Sequence, residues 1–254
     1  MAFSPDVAAL LVAIGFAVGA FGTIIGAGGG FILTPILLLL YPRDSAQTLT
    51  AISLTAVFFN AASGSVAYAR QRRIDYRSGI MFALATLPGA VGGAFVVGAV
   101  SRRVFDGIMG GVLALLAAWL LAGERWTFEP PEHRVRRGAL YSLGVGFVSS
   151  FLGIGGGVIH VPLLVRALGF PVHVATATSH FVLAVMAGAG TLTHVALGSF
   201  AHGHGLRRAA SLSVGVVAGA QLGAHVSTRF HGRAITGMLA VALLALAARL
   251  LYAV

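Results

Sequence analysis

The chain of 254 residues contains no cysteine and no lysine, and it has only seven acidic residues. The missing cysteine excludes disulfide bonds, thiolate catalysis and cysteine-ligated metal centres. The last acidic residue is Glu132, so the second half of the chain has no carboxylate side chain. Cations that pass through membrane proteins usually pair with Asp or Glu, and this half of the chain offers no such partner.

Charged residues make up only 9% of the chain, against 57% hydrophobic residues. A soluble protein keeps roughly a quarter of its residues charged, so this composition predicts a chain that faces lipid over most of its surface. The net charge of +10 comes from 17 arginines. A strongly basic chain often binds nucleic acid, but these arginines lie mostly in short gaps between apolar runs. That distribution indicates a multi-pass membrane protein with no nucleic-acid partner.

Several apolar runs have the length of a single membrane crossing, because about 20 apolar residues span a bilayer. Histidine shows the opposite distribution to the acidic residues, because it occurs only beyond position 132. The runs that fit one crossing are 46–69, 78–101, 104–122, 209–228 and 234–254.

Two further charge-free runs, 7–42 and 138–165, are interrupted by the glycine-rich segments 26–30 and 153–157. Successive glycines carry a large helix penalty. Irregular backbone at membrane depth is tolerated only inside protein or beside water. We therefore predict that each run forms two short helices that meet at a glycine break.

The two halves resemble one another at an offset of about 127 residues. The glycine segments and the prolines that follow them align, and so do hydroxyl-rich helix starts near Thr50 and Thr176. This predicts an all-α polytopic membrane protein of two homologous repeats, each with a broken short-helix pair and three full transmembrane helices, about 8–10 segments in total. The expected divisions are a first repeat 1–122, a polar cytoplasmic linker 123–137 and a second repeat 138–254.

The relative orientation of the repeats depends on how often the short helices cross. Leaving out Arg249 inside the last run, 11 arginines lie inside against 5 outside if each short helix crosses and the repeats are inverted. If each pair crosses once, the repeats are parallel and the counts are 10 and 6. These ratios do not separate the two cases. Transporters commonly use inverted repeats, and we favour that arrangement.

Broken helices at matching positions of two halves indicate a transporter substrate site. The first N–H groups of a helix have no internal partner, and the helix dipole adds positive charge there. Glycines let an anion approach these groups closely, whereas Pro35 and Pro162 fit early helical turns. The alternative is that the glycines only allow tight helix packing. The predicted binding glycines are Gly26, Gly28, Gly29, Gly30, Gly153, Gly155, Gly156 and Gly157.

Hydroxyls and histidines complete the predicted site. Hydroxyl groups at the first full span of each half can donate hydrogen bonds to oxyanion oxygens, or they can bond between helices. His160 and His180 stand where the first half has leucine. Each is either a packing residue or the carrier of a coupled proton, because histidine titrates near neutral pH. The hydroxyl residues are Thr50, Ser53, Thr176 and Ser179.

The paired GxGGGxxxxP segments, each followed by a Thr/Ser-rich span start, resemble the TauE/SafE family of sulfite exporters. The resemblance covers essentially the whole chain. It implies a bacterial or archaeal inner-membrane transporter for sulfur-containing anions such as sulfite or organosulfonates. It also implies binding roles for the glycines, prolines and hydroxyls named above, but not for the histidines.

The leading hypothesis is therefore a secondary permease or exporter that binds a small sulfur-containing anion between the two glycine breaks, without a cofactor or metal. A passive anion channel is the first alternative. A membrane-embedded enzyme is the second, and it has less support. Ser179 and His180 are its only suggestive pair, and neighbours on a helix do not face each other.

Overall fold

A computed structural model describes residues 3–121, 134–201, 203–227 and 232–253, and these residues contain helices and no strands. A single 3₁₀ turn, Val97–Ala99, follows the fourth helix, and a π-helical turn, Leu163–Ala167, follows the seventh. The helices are α1 Pro5–Ile25, α2 Gly30–Leu40, α3 Ala46–Arg70, α4 Tyr76–Val96, α5 Arg102–Leu121, α6 Arg134–Leu152, α7 Gly157–Pro162, α8 Val172–Ala196, α9 Gly205–Val226 and α10 Gly232–Ala253.

Within the described residues, five helical segments are long and apolar enough to cross a membrane, which confirms an all-helical polytopic membrane protein. The segments Gly30–Leu40 and Gly157–Ala167 are apolar but too short. At 1.5 Å per residue each extends only about 16 Å, roughly half of a bilayer core. The five candidate spans are Pro5–Ile25, Ala46–Arg70, Tyr76–Ala99, Val172–Ala196 and Gly205–Val226.

The prediction of two short helices at each glycine break is wrong for the first helix of each pair. The α1 helix has 21 residues and α6 has 19. The charge-free runs begin inside these helices, because Asp6 and Arg137 lie in the first turns. The Ser4 hydroxyl accepts a hydrogen bond from the Val7 N–H at 3.3 Å, and Asp6 is favoured at this positive helix end. Each break therefore separates a long helix from a short one.

The predicted linker 123–137 lies mostly outside the described residues. Its last part does not form a linker, because α6 begins at Arg134. The remaining predicted linker positions, 123–133, fall within the undescribed segment 122–133.

The bundle has two ends, which we name after their aspartates. The Asp44 end holds the connections 41–45 and 197–204, and the Asp75 end holds 71–75 and 168–171. The α3 helix runs from the Asp44 end to the Asp75 end. The α8 helix runs antiparallel to α3, because Gly64 lies against His180 and Gly190 against Leu54.

Two pairs of helices cross in parallel and in close contact, and each pair joins the two halves. A Cβ atom on Gly19 of α1 would lie 2.7 Å from the Val216 Cα of α9. A Cβ atom on Gly93 of α4 would lie 2.7 Å from the Phe151 backbone nitrogen of α6. Small residues permit this approach where lipid gives no hydrophobic driving force. The halves therefore interlock rather than pack as separate bodies.

Each short helix returns to the end of the bundle at which the long helix before it begins. The α1 helix starts at the Asp44 end beside α9, and α2 returns there: the Arg102 guanidinium donates to the Leu38 carbonyl at 2.7 Å and the Asp44 carbonyl at 2.9 Å. The α6 helix runs parallel to α4 and enters from the Asp75 end. We call α1–α2 the first hairpin and α6–α7, with its π-helical turn, the second hairpin.

Single cysteines in this cysteine-free chain test the arrangement directly. Arg43→Cys and His173→Cys, both at exposed positions, follow the first and second hairpins and lie at opposite ends. From the positive-inside rule, the arginines of the Asp75 end predict that this end is cytoplasmic. We expect a membrane-impermeant maleimide to label Arg43→Cys in intact cells, and to label His173→Cys only in inside-out vesicles. Equal labelling of both in intact cells would indicate parallel repeats.

Candidate functional site

The tips of the two hairpins meet in the middle of the bundle. A Cβ atom on Gly30 would lie 2.6 Å from the Ile154 carbonyl carbon, and one on Gly157 would lie 2.6 Å from the Ala27 Cα. Val57, near the middle of α3, lies against both tips. The structure thus brings the two predicted glycine segments, 127 residues apart in the chain, into direct contact at mid-depth.

The backbone at the tips has conformations that favour glycine. Gly26, Gly28 and Gly29 have φ values of 81°, 73° and 77°, and Gly153 and Gly155 have 69° and 64°. Side chains other than glycine rarely adopt such angles. Both tips are buried, with Ala27 and Ile154 fully inaccessible. The breaks are therefore fixed turns inside protein rather than flexible linkers.

Two serines from the central helices hold the carbonyl groups of the opposite tip. The Ser53 hydroxyl of α3 donates to the Gly153 carbonyl at 2.7 Å. The Thr34 hydroxyl of α2 lies 2.7 Å from the same carbonyl oxygen and 2.8 Å from the Ser53 hydroxyl. In the other half, the Ser179 hydroxyl donates to the Gly26 carbonyl at 3.5 Å. Ser53 and Ser179 thus bond between helices to the breaks, and a role for them in substrate binding stays a prediction.

Thr50 and Thr176 have a different role, because their hydroxyls are buried without a hydrogen-bond partner among the described residues. The Cγ2 atom of Thr50 lies 3.0 Å from the position of a Cβ on Gly153, and that of Thr176 lies 2.6 Å from a Cβ on Gly26. A buried hydroxyl without a partner costs free energy. One such threonine packs its methyl group against each break, and its hydroxyl is a candidate donor to a ligand there. The Ser149 hydroxyl, also without a partner among the described residues, lies 2.9 Å from the position of a Cβ on Gly156.

The first tip is supported by a polar network around His180. Its Nε2 atom lies 3.3 Å from the Thr23 hydroxyl, and its ring contacts Tyr68 edge-on at 5.6 Å between centroids. The Thr23 hydroxyl donates to the Asn60 amide oxygen, and the Asn60 amide nitrogen donates to the Gly28 carbonyl, both at 2.8 Å. His180 is therefore coupled to the first break through Thr23 and Asn60.

His160 lies beside the second tip. Its Nε2 atom is 3.2 Å from the Ser142 hydroxyl, which donates to the Gly138 carbonyl at 2.7 Å. A cavity of about 10 Å³, lined in part by His160, Ser179 and Gly157, adjoins this tip. That volume holds about one water molecule. The two histidines thus lie beside different breaks, so the surroundings of the two breaks differ chemically.

Pro35 and Pro162 do not lie in the first turn of their helices. Each is the sixth residue of its helix, and both are buried. Pro162 is followed directly by the π-helical turn Leu163–Ala167. Their missing N–H groups therefore lie within the helix rather than at its start. The tolerance of proline in the first turn of a helix does not explain these two prolines.

Sequence reasoning did not assign three residues that build the site: Thr23, Thr34 and Tyr68. The Tyr68 hydroxyl donates to the Thr23 carbonyl at 2.7 Å, and both residues are fully buried. The available signal is that each is a polar residue within a charge-free run, which in a membrane requires an internal partner.

The buried helix breaks and apolar spans define a multi-pass membrane transporter. The sulfite exporter TauE/SafE family matches residues 11–250, and the chain belongs to this family. It is 27% identical to the probable membrane transporter protein YunE of Bacillus subtilis, over 96% of this chain and 97% of the relative. It is also 27% identical to a probable membrane transporter protein of Methanocaldococcus jannaschii, over 73% and 72% of the two chains. No solved structure matches the chain at a significant level.

Stability measurements should separate the bonded hydroxyls from the unpartnered ones. Ser53→Ala removes a buried hydrogen bond to Gly153, and we expect a loss of about 1 kcal/mol in the free energy of unfolding. Thr50→Val removes a hydroxyl without a partner, so stability should be unchanged or higher. Thermal unfolding in detergent measures both. A larger loss for Thr50→Val than for Ser53→Ala would contradict this assignment.

Proposed function

We propose that the protein is a secondary transporter that binds a small sulfur-containing anion, such as sulfite or an organosulfonate, between the two hairpin tips. The observation that carries the proposal is the meeting of two oppositely directed hairpins at mid-depth, each packed against a threonine whose buried hydroxyl has no partner among the described residues. Discontinuous helices near the bilayer midplane are typical of transporter sites. The family and its relatives support transport rather than enzymatic activity.

The charge distribution supports an anion as the cargo. The described acidic residues lie near helix ends: Asp6 in the first turn of α1, Asp106 as the fifth residue of α5, Asp44 in a connection and Asp75 as the cap of α4. The first N–H groups of α2 and α7 lie at the tips, where they have no partner within their own helix. A carboxylate-free interior with donor groups at its centre suits an anion. The sulfur chemistry rests on the family description alone.

The tips are closed in this structure, because they touch and the adjoining cavity holds about one water. Sulfite has four heavy atoms and requires the tips to separate. In the proposed cycle, each hairpin moves against the central helices α3 and α8 and opens the site to one end at a time. Rocking of repeats around a central site is the usual mechanism for inverted-repeat transporters. We place the protein in the inner membrane of a bacterial or archaeal cell.

Transport of the anion tests the proposal in proteoliposomes. We expect sulfite or organosulfonate flux, and we expect the double variant Thr50→Val/Thr176→Val to lower it by tenfold or more, about 1.4 kcal/mol of lost interaction. Thr55→Val is the matched control, because that α3 hydroxyl donates to the Ala51 carbonyl of its own helix. Flux of only neutral or cationic solutes would refute the proposal. Flux that no imposed gradient can convert into accumulation would favour a passive channel.

Proton coupling is the finer part of the proposal, with His180 at the first tip or His160 at the second as the carrier. We expect His160→Gln or His180→Gln to abolish accumulation driven by an imposed proton gradient, since glutamine does not titrate. His194→Gln is the control, because His194 pairs with Ser199 at the Asp44 end, away from the tips. Unchanged gradient-driven accumulation in the His160→Gln/His180→Gln double variant would exclude both histidines as carriers.

A further inference from the structure

A second, larger cavity opens at the Asp44 end, apart from the hairpin tips. Its volume is about 340 Å³, against about 10 Å³ for the cavity at the second tip. One wall comes from the connection after the first hairpin and the start of α3, and the other from the start of α9. The lining residues are Asp44, Ser45, Thr48, Gly203, His204, Gly205 and Arg208.

Arg208 is the principal cationic group of this cavity. Its side chain is only 8% exposed, and its guanidinium donates to the Asp44 carboxylate. The guanidinium carbon also lies 3.7 Å from the centre of the Tyr41 ring. A buried charge is costly unless it is paired, so Asp44 neutralises Arg208 in the closed structure. This ion pair joins α9 to the connection that follows the first hairpin.

The rest of the cavity lining can accommodate an anion in place of that carboxylate. The hydroxyls of Ser45 and Thr48 lie 3.0 Å apart on the opposite wall. The neighbouring Arg102 does not compete for the Asp44 side chain, because it binds the Asp44 backbone carbonyl and pairs with Asp106 at 2.9 Å. A guanidinium presents a planar set of N–H donors that pairs with carboxylates and also with phosphate-like oxyanions.

We propose that this cavity is a capture site for a small oxyanion, which displaces the Asp44 carboxylate from Arg208. The identity of the anion rests on the proposed function. Displacement breaks the ion pair between α9 and the 41–45 connection and so weakens the hold of Arg208 on the end of the first hairpin, where its guanidinium still lies over the Tyr41 ring. The other contact, from Arg102 to the backbone, remains. Anion capture at this end thereby favours movement of the first hairpin.

The corresponding position of the other half has different chemistry. At the 130-residue offset that aligns the α4 and α9 glycines, Arg208 corresponds to Ser78. The Ser78 hydroxyl donates to the Asp75 carboxylate at 2.8 Å. The Asp75 end therefore has a hydroxyl where the Asp44 end has a guanidinium. An anion that displaces a carboxylate from a serine gains no ion pair, so the capture site belongs to the Asp44 end.

The proposal is tested by adding sodium sulfate or sodium sulfite to the purified protein at constant ionic strength. Binding is measured as a rise in the unfolding temperature. Asp44→Asn removes the competing carboxylate, and we expect the half-saturating anion concentration to fall about tenfold, the effect of losing one competing charge-assisted contact. Arg208→Gln should abolish the shift. Arg207→Gln is the matched control, because Arg207 is exposed, adjacent and does not line the cavity.

Two outcomes would overturn the capture site: an unchanged or weaker anion response in Asp44→Asn, or an equal loss in Arg207→Gln and Arg208→Gln. If Arg208→Gln does not fold, Asp44→Asn decides the question, because asparagine keeps the volume of aspartate. Anion flux with wild-type half-saturation in Asp44→Asn would refute capture and leave the transport function intact. If the anion raises the unfolding temperature in a way that depends on Asp44 but no flux is measured, the transport function is refuted and the capture site is retained.

Discussion

The contact between the two hairpin tips is the constraint on which the rest of the structure depends. Backbone meets backbone there, with no room for a Cβ atom on Gly30 or Gly157. Each hairpin is too short beyond its break to cross the bilayer alone, so neither tip has a stable place without the other. The central helices α3 and α8 then enclose the junction, and Val57 contacts both sides of it.

Burying two irregular turns at membrane depth creates a second requirement, because their carbonyl groups cannot bond to water. The structure meets it with side chains of the opposite or adjacent helices, such as Ser53 on the Gly153 carbonyl and Asn60 on the Gly28 carbonyl. The hydroxyls of Thr50 and Thr176, one turn away from Ser53 and Ser179, are among those that are buried without a partner in the described part of the chain. Hydroxyls that support the breaks and hydroxyls proposed to bind a ligand thus differ only in their hydrogen bonds.

The two ends of the molecule differ more than its centre. Two arginines bind the connection at the Asp44 end, and Arg208 lies in the wall of the larger cavity. At the Asp75 end, the carboxylate of Asp75 is held by Ser78. The two ends of the molecule therefore offer different chemical groups to a solute that approaches from either side. The interlocked pairs α1–α9 and α4–α6 connect those ends to the tips.

Composition and glycine positions were sufficient to predict a multi-pass helical membrane protein with two internal breaks, because lipid exposure and helix disruption are local effects. The helix lengths were predicted less well, since charged residues such as Asp6 are allowed in first turns at the interface. Thr23, Thr34 and Tyr68 went unassigned because a single polar residue in an apolar run does not reveal its partner.

Only the tertiary structure determined which end each hairpin enters, that the tips touch, and which hydroxyls are bonded. It also brought Asp44 and Arg208 together across 164 positions of the chain. The physical reason is that these properties arise from contacts between helices distant in sequence, whereas hydropathy and glycine content act within a single helix. The sequence alone therefore determined the membrane environment and the breaks, and the packing of the helices decided the site.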